Sequence, residues 1–270
     1  MKNLKEQIGS WAIVTGASSG IGEEFANQLA ANGINLILLA RRENLLKELS
    51  DKLTGKYGIK VKSLPLDLTD ENFIDRIDKH VEGLKVGLLV SNAGGARMGA
   101  FTKIPMEDLE MMLRLNTTVH MKLSHWFSNR LIDNNQRGNL MMVSSTTAYQ
   151  GVPYAANYAA AKAYILNLGE ALNFELKDKG VNVTVLVPGP TRTPGLTENK
   201  DADMMSHLPM KPQEVDKLVN EGLRALLKNK PTQIGGAMNR VMDKVMKTTM
   251  SRKGASAFWG KMMKKMVTIK

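Results

Sequence analysis

Trp11-Ala12-Ile13-Val14-Thr15-Gly16-Ala17-Ser18-Ser19-Gly20-Ile21-Gly22 is the stretch whose reading decides the fold. Its first five residues form a short apolar run that stops at a glycine-rich turn, the pattern of a strand buried on both faces of a parallel sheet. Beyond the turn the period changes. Ile21, Phe25 and Leu29 lie four apart, and Asn32-Gly33 closes the predicted helix over 21–32. A buried strand, a tight turn and a helix in that order open a β-α-β unit.

The same alternation continues along the chain. Strands are predicted at 35–40, 60–66, 86–91, 139–144, 181–187 and 232–234. Helices are predicted at 43–57, 71–81, about 106–133, 155–179 and 212–229. Repeated β-α units of this kind define an α/β fold, a doubly wound parallel sheet of the Rossmann type, which takes its ligands outside the carboxyl ends of the strands. Gly16–Gly22, Arg41, Asp67, Asn92, Ser145 and Pro188 all fall at such ends. The reading is one domain over 1–236, followed by a basic Met-rich amphipathic tail over 237–270.

Composition sets outer bounds. The 270 residues suit one large α/β domain with a substantial core. The chain has no cysteine, which excludes disulfides and thiolate metal sites. The opening Met1-Lys2-Asn3-Leu4-Lys5-Glu6-Gln7 has no apolar core of a secretory signal, is expected to lead straight into the first strand, and suggests a cytoplasmic protein. The net charge of +11 is uneven: residues 238–270 hold nine Lys/Arg and one acid, +8, leaving +3 for the rest. No groove-reading motif accompanies this charge, so nucleic acid is not an expected partner.

Gly16, Gly20 and Gly22 allow a tight turn and let backbone N–H groups approach an anion, with the helix N-terminus adding favourable electrostatics. Ser18, Ser19 and Ile21 share that turn, which can hold a dinucleotide pyrophosphate. An NAD-preferring site ordinarily carries an acid at the tip of the second strand. Here the strand ends Leu39-Ala40-Arg41-Arg42. Arg41 offers a planar fork to a 2′-phosphate and Arg42 can assist, so the expected cofactor is NADP(H).

Tyr158 and Lys162 are four apart in a helical pattern and share one face. A phenol with an ordinary pKa of about 10 becomes a useful acid/base when a neighbouring ammonium lowers that value, and this is the expectation for Tyr158. Such a group can protonate a carbonyl oxygen or take an alcohol proton in reverse. Ser145, 13 residues earlier at a strand end, can hold the same oxygen. Ser144 competes for that role.

The TGxxxGxG spacing of Thr15–Gly22, with Ser145 and the YxxxK pair, resembles the short-chain dehydrogenase/reductase family over about residues 8–235. The resemblance implies hydride transfer between NADP(H) and a small-molecule carbonyl or alcohol. It assigns Asn116, Ser145, Tyr158 and Lys162 as a catalytic quartet, with Asn116 holding a water that links the lysine to solvent. It places Asp67-Leu68 under the adenine, although Asp67 and Thr69 could instead cap the following helix. It puts Asn92-Ala93-Gly94 close to the cofactor; the family's usual preceding Asn is Ser91 here. Pro188-Gly189-Pro190-Thr191-Arg192-Thr193 resembles the segment that packs along the nicotinamide, with Thr193 ahead of Thr191 for the carboxamide. A homo-oligomer, dimer or tetramer, is implied as well.

Residues 194–211 lack periodicity and match the family's lid. Leu196, Met204, Met205, Leu208 and Met210 suggest an apolar pocket and a lipophilic substrate, an acyl, steroid-like or aromatic ketone or aldehyde. In the tail, Met238, Met242, Met246 and Met250 recur every four residues. After a Ser/Gly break, Phe258, Trp259, Met262, Met263, Met266 and Val267 form a second apolar set among lysines. The pattern fits an anionic membrane surface, a partner subunit, or two helices closing the domain. The alternative function is a non-catalytic NADP(H)-binding scaffold or sensor, attached to a membrane or partner through this tail.

Overall fold

Alternate residues of each central strand point into two different cores. Ala12 and Val14 on β1 (Trp11–Thr15) and Leu36 and Leu38 on β2 (Asn35–Ala40) pack on one face of the sheet. Ile13, Ile37 and Leu39 pack on the other. Both faces being buried explains why these strands read as continuous apolar runs. The structure, a computed structural model, describes residues 4–194 and 211–268.

The remaining strands are β3 (Val61–Pro65), β4 (Val86–Ser91), β5 (Gly138–Val143), β6 (Val181–Val187) and β7 (Thr232–Ile234). All seven pair in parallel in the order β3-β2-β1-β4-β5-β6-β7. The order reverses beside β1, and β1 and β4 therefore meet at the topological switch point, where such sheets bind their ligands.

A short helix α1 (Leu4–Ile8) precedes β1, with Leu4 and Ile8 in the core. The expectation that the N-terminus leads directly into a strand is corrected here: five residues are too few for the period to show. Helices α2 (Gly20–Ala31) and α3 (Glu43–Tyr57) cover one face with α8 (Val215–Leu227). On the other face lie α4 (Phe73–His80), α6 (Val119–Asp133) and α7 (Ala156–Leu176). The predicted helix over 106–133 is α5 (Met106–Leu113) joined to α6 through a π-helical turn, Arg114–Thr118. Such turns are frequent at functional sites, and this one carries Asn116.

The tail forms two helices, Ala237–Thr249 and Arg252–Thr268. The break falls at Met250-Ser251, and Gly254 lies inside the second helix. Both helices return to the domain. Asn239 is buried and Arg240 pairs with Glu221 at 3.0 Å. Met263 joins Val152, Ala155 and Ala159 in a small separate core.

The turn after β1 tolerates no side chains where it needs none. A Cβ on Gly22 would collide with the Gly16 carbonyl and lie 2.7 Å from Asn92 Nδ2. Gly22→Ala is therefore expected to lower unfolding stability in urea by about 1–3 kcal/mol, the usual cost of overpacking; an unchanged midpoint would mean the turn can open freely.

Candidate active site and cofactor groove

The site grows from the ends of β1 and β4. Thr15 Oγ1 donates to the Val90 carbonyl (3.2 Å) and accepts from the N–H groups of Asn92 (2.9 Å) and Ala93 (3.0 Å). Asn92 Nδ2 donates back to the Thr15 carbonyl at 2.9 Å. Gly16 and Gly20 both have positive φ, +64° and +61°, in the left-handed region that glycine tolerates. The result is a groove of about 360 Å³ running from Arg41 and Arg42, past Asp67 and Leu68, over the Gly16–Ile21 turn to Asn92-Ala93-Gly94 and Thr193. Of the residues assigned to the adenosine and pyrophosphate half, all but Gly22 line this one groove; Gly22 is buried behind it against Gly16 and Asn92. A dinucleotide fits it, because the cradle is glycine-walled and α2 begins there without a side-chain cap of its own.

At the adenosine end, Arg42 is the organised arginine. Its guanidinium donates to Ser18 Oγ (2.9 and 3.2 Å) and Ser19 Oγ (2.8 Å), tying strand β2 to the turn. Arg41 is well exposed and only loosely paired with Asp67 at 4.0 Å. Such surface pairs contribute little, so redirecting Arg41 to another anion costs little. Asp67 does not cap α4, whose N-cap is Asn72. It accepts instead from Thr69 N (2.9 Å) and Thr69 Oγ1 (2.7 Å), a local turn that satisfies the carboxylate before the helix begins. Burial raises the Asp67 carboxyl, but those bonds and the charge of Arg41 outweigh it and hold its pKa below the ordinary value.

At the other end, α7 presents Tyr158 and Lys162 to the end of β5. The Ser145 side chain faces the Tyr158 phenol, near enough to act on its pKa, and its hydroxyl accepts from Thr147 N at 3.2 Å. Ser144 is the structural serine: buried, it donates to the Lys162 carbonyl at 2.7 Å and so joins β5 to α7. Lys162 Nζ lies 5.7 Å from the Tyr158 ring centroid and donates to the Val143 carbonyl at 3.1 Å.

The expected lowering of the Tyr158 pKa is corrected. Burial raises this phenol above its ordinary value, and the neighbouring Ser145 hydroxyl pulls it back only in part. Burial also lowers the Lys162 ammonium to about 8. In a dry site both ionised forms lose hydration, so a phenolate is disfavoured even beside an ammonium.

Asn116 is buried in its π turn. Nδ2 donates to the carbonyls of Gly95 and Met112, both at 2.8 Å, while Oδ1 has no protein partner. A Cβ on Gly94 would lie 2.7 Å from that Oδ1 and 3.3 Å from Lys162 Nζ. Asn116 and Lys162 thus face the same small gap beside Gly94, and the orphaned acceptor suits a bound water.

Beyond β6, the Pro188 carbonyl accepts from Thr146 N at 2.8 Å, and Gly189 lies against Asn239. Thr191 is buried and donates to the Gly189 carbonyl at 2.9 Å, so its hydroxyl is already engaged. Thr193 packs over Gly20, where a Cβ would come within 3.3 Å of it, and lines the groove. The lid residues Leu196, Met204, Met205, Leu208 and Met210 lie outside the described residues.

Three features escaped the sequence reading. The Thr15 clasp was hidden in the family motif. Asn239, from the tail, backs the Pro188-Gly189 segment. His120 is buried beneath the cofactor segment, with Nδ1 2.8 Å from Ser91 Oγ and Nε2 3.0 Å from the Ala93 carbonyl. Since that carbonyl can only accept, Nε2 carries the proton, and the ring is neutral with Ser91 as donor to Nδ1. The signal was present: Ser91 replaces a family Asn, and a smaller side chain leaves room for a partner. Burial and the charge of Lys162 push His120 down to about 3.

The tail completes a second hollow. A cavity of about 260 Å³ is walled by Thr146, Tyr149 and Gln150, which follow Ser145 directly, and by Met242, Met246 and Trp259 from the tail helices. Lys247 pairs with Asp243 at 2.9 Å and sits 3.9 Å from the Tyr149 ring centroid. Among the described residues no cluster of His, Asp and Glu could hold a metal ion.

Comparison with known proteins agrees with this geometry. The family model for short chain dehydrogenases matches residues 10–204. The 7beta-hydroxysteroid dehydrogenase of Clostridium sardiniense is 31% identical over 261 residues, covering 96% of this chain and 98% of that protein. The enzyme of the same name from Collinsella aerofaciens is 32% identical over 197 residues, 73% of this chain and 74% of that protein. A structure solved in a study of 7beta-hydroxysteroid dehydrogenase stereoselectivity superposes with a TM-score of 0.86 at 26% identity, covering 95% of this chain and 98% of that one. A short-chain dehydrogenase from Sphingobium yanoikuyae in complex with NADPH superposes with a TM-score of 0.76 at 29% identity, covering 88% and 94%. The chain belongs to the short-chain dehydrogenase/reductase family.

The depressed His120 pKa has a thermodynamic consequence. Below the unfolded value of 6.5 the unfolded chain binds a proton that the native ring refuses until about pH 3. His120 thus favours the native state fully above pH 6.5, and that advantage is lost as pH falls, by about 1.4 kcal/mol per unit. Urea titrations from pH 7 to about 5 are expected to show this slope, reduced in His120→Gln; equal slopes would show that the ring takes up its proton while folded.

Proposed function

We propose that this protein is an NADP(H)-dependent oxidoreductase interconverting a bulky lipophilic ketone, of the steroid-like class, and its secondary alcohol. The observation that carries the reading is the convergence of Ser145, just past the end of β5, on Tyr158, with Lys162 one turn further along α7 and its Nζ 5.7 Å from the Tyr158 ring centroid. Support for the cofactor comes from the double arginine at the β2 tip, with no acid there, and from the NADPH complex of the Sphingobium relative. Support for the substrate class comes from the Met- and Trp-walled cavity beside Ser145 and from the hydroxysteroid dehydrogenases among the relatives. Exposed Met121 on α6 and Tyr164 on α7 suit packing between copies of the chain.

The Gly16–Gly22 turn and the α2 N-terminus receive the pyrophosphate, and Arg41, Arg42 and Ser18 receive the 2′-phosphate. Asp67 and Leu68 flank the adenine. Asn92-Ala93-Gly94, Pro188-Gly189 and Thr193 border the nicotinamide half. When bound, NADPH supplies the hydride. The protein's own residues manage the carbonyl oxygen. Ser145 orients that oxygen by hydrogen bonding, and Tyr158 donates its phenolic proton to it. The raised pKa keeps Tyr158 protonated at neutral pH, which suits the reductive direction. Lys162, still charged below about 8, stabilises the phenolate left after transfer. Solvent returns the proton to Tyr158 by way of Lys162, which a water held on the unpartnered Asn116 Oδ1 would link to bulk water.

Loss of NADPH absorbance with a panel of lipophilic and small polar ketones, with NADH run in parallel, tests the reading. Turnover of bulky apolar ketones with NADPH is expected; preference for NADH, or for small polar carbonyls, would contradict it. Arg41→Ala/Arg42→Ala is expected to raise the KM for NADPH roughly ten- to a hundredfold, the cost of losing hydrogen bonds to a charged group, with NADH little affected. Ketone reduction, followed as kcat/KM, is expected to hold through neutral pH and to fall as pH rises past about 8, where Lys162 loses its charge. A rate that rises across that window would contradict the assigned role of Lys162.

A further inference from the structure

The two tail helices are two-faced. Their inner positions, Asn239, Met242, Met246, Trp259 and Met263, are spent on the cavity and on the packing against Val152 and Ala159. Their outer positions are apolar again. Met238, Val241 and Val245, at helical spacing on the first helix, are 64%, 58% and 47% exposed, and Phe258 on the second is 40% exposed. An exposed apolar strip on a helix whose inner face is already satisfied has no use within the domain.

The charge around that strip has one sign. Residues 237–268 carry eight Lys/Arg and one acid, Asp243. Asp243 is taken by Lys247 and Arg240 is taken by Glu221. Lys244, Arg252, Lys253, Lys261 and Lys265 remain exposed with no ion pair among the described residues. A face of this kind repels a second copy of itself. A nucleic acid would engage the lysines and leave the valines and Met238 in water. A lipid surface with anionic headgroups accommodates both, taking the apolar strip into the headgroup–acyl boundary and the lysines at the phosphates. No described helix is long and apolar enough to cross a membrane, so the contact is peripheral.

We propose that the outer face of the tail helices, Met238, Val241, Val245 and Phe258 with Lys244, Lys253 and Lys261, docks the protein on an anionic lipid bilayer. The same helices then serve two purposes. Their outer face lies on the bilayer, and their inner face walls the cavity, so a ligand that partitions into lipid meets the cavity where the protein touches the surface. This second step rests on the lipophilic substrate class proposed above; the docking itself does not.

Co-sedimentation with vesicles of phosphatidylcholine, with and without phosphatidylglycerol, tests the docking on the full chain. Binding to the anionic vesicles alone, weakened by salt, is expected. Lys244→Glu/Lys253→Glu/Lys261→Glu is expected to weaken it roughly a hundredfold or more, each lysine being worth nearly one decade. Val241→Ser/Val245→Ser is expected to weaken it at unchanged charge. These positions are exposed, so both variants should turn over a water-soluble ketone as the parent does. Equal binding to neutral vesicles, no binding to either, or unaltered binding by both variants would overturn the proposal. So would a variant that becomes monomeric where the parent is oligomeric, because the face would then belong to a second copy. An inactive parent that still binds anionic vesicles would overturn the proposed activity and leave the docking intact.

Discussion

The Thr15 hydroxyl holds the ends of β1 and β4 together, and the rest of the site depends on it. It makes one donated and two accepted hydrogen bonds, the full capacity of the group. With Asn92 Nδ2 returning a bond to the Thr15 carbonyl, the two strand ends become a single rigid corner at the switch point of the sheet. The phosphate turn leaves from one side of that corner. Asn92-Ala93-Gly94 leaves from the other and passes over Asn116, His120 and Lys162. Glycine at 16 and 22 is then a consequence, since a side chain at either would push against Asn92 or the facing backbone. A corner of this stiffness holds reacting groups in place better than a loop closed only by side-chain packing.

Dryness is the second organising condition. Burial pushes Tyr158 up, Lys162 down to about 8 and His120 down to about 3. Each shift favours the neutral form: the phenol keeps its proton, the Lys162 ammonium is weakened yet survives at neutral pH, and the imidazole fixes a carbonyl without adding charge beside it. The charge of Lys162 adds to burial in keeping His120 neutral, because two neighbouring buried cations would each lower the other's affinity for its proton.

Most of the architecture was legible because hydrophobic period and strand-end glycines are local signals. The seven strands and the helices between them emerged near their predicted bounds, and the strand ends fixed which residues could converge. What the sequence concealed depended on geometry or on non-local partners. Helix α1 is too short to show a period, and the π turn at Asn116 has no compositional mark. Asp67 read equally well as a helix cap, and only the observed start of α4 at Phe73 showed its bonds closing a local turn instead. The direction of the Tyr158 shift was misread because spacing reveals a neighbouring lysine but not the shared loss of water. The two-faced tail was visible as a pattern, yet which face turns inward is decided by Asn239, Trp259 and Met263 meeting partners far away in the chain.

The central claim is that Tyr158 delivers the proton while the bound cofactor delivers the hydride. The most direct measurement is transfer of deuterium from NADPH labelled at the nicotinamide to a steroid-like ketone, by the parent and by Tyr158→Phe, with NADPH affinity measured alongside. The account predicts label at the carbinol carbon with the parent enzyme, a rate about 10²–10⁴-fold lower in the variant, and unchanged NADPH affinity. A variant that transfers deuterium as fast as the parent would contradict it.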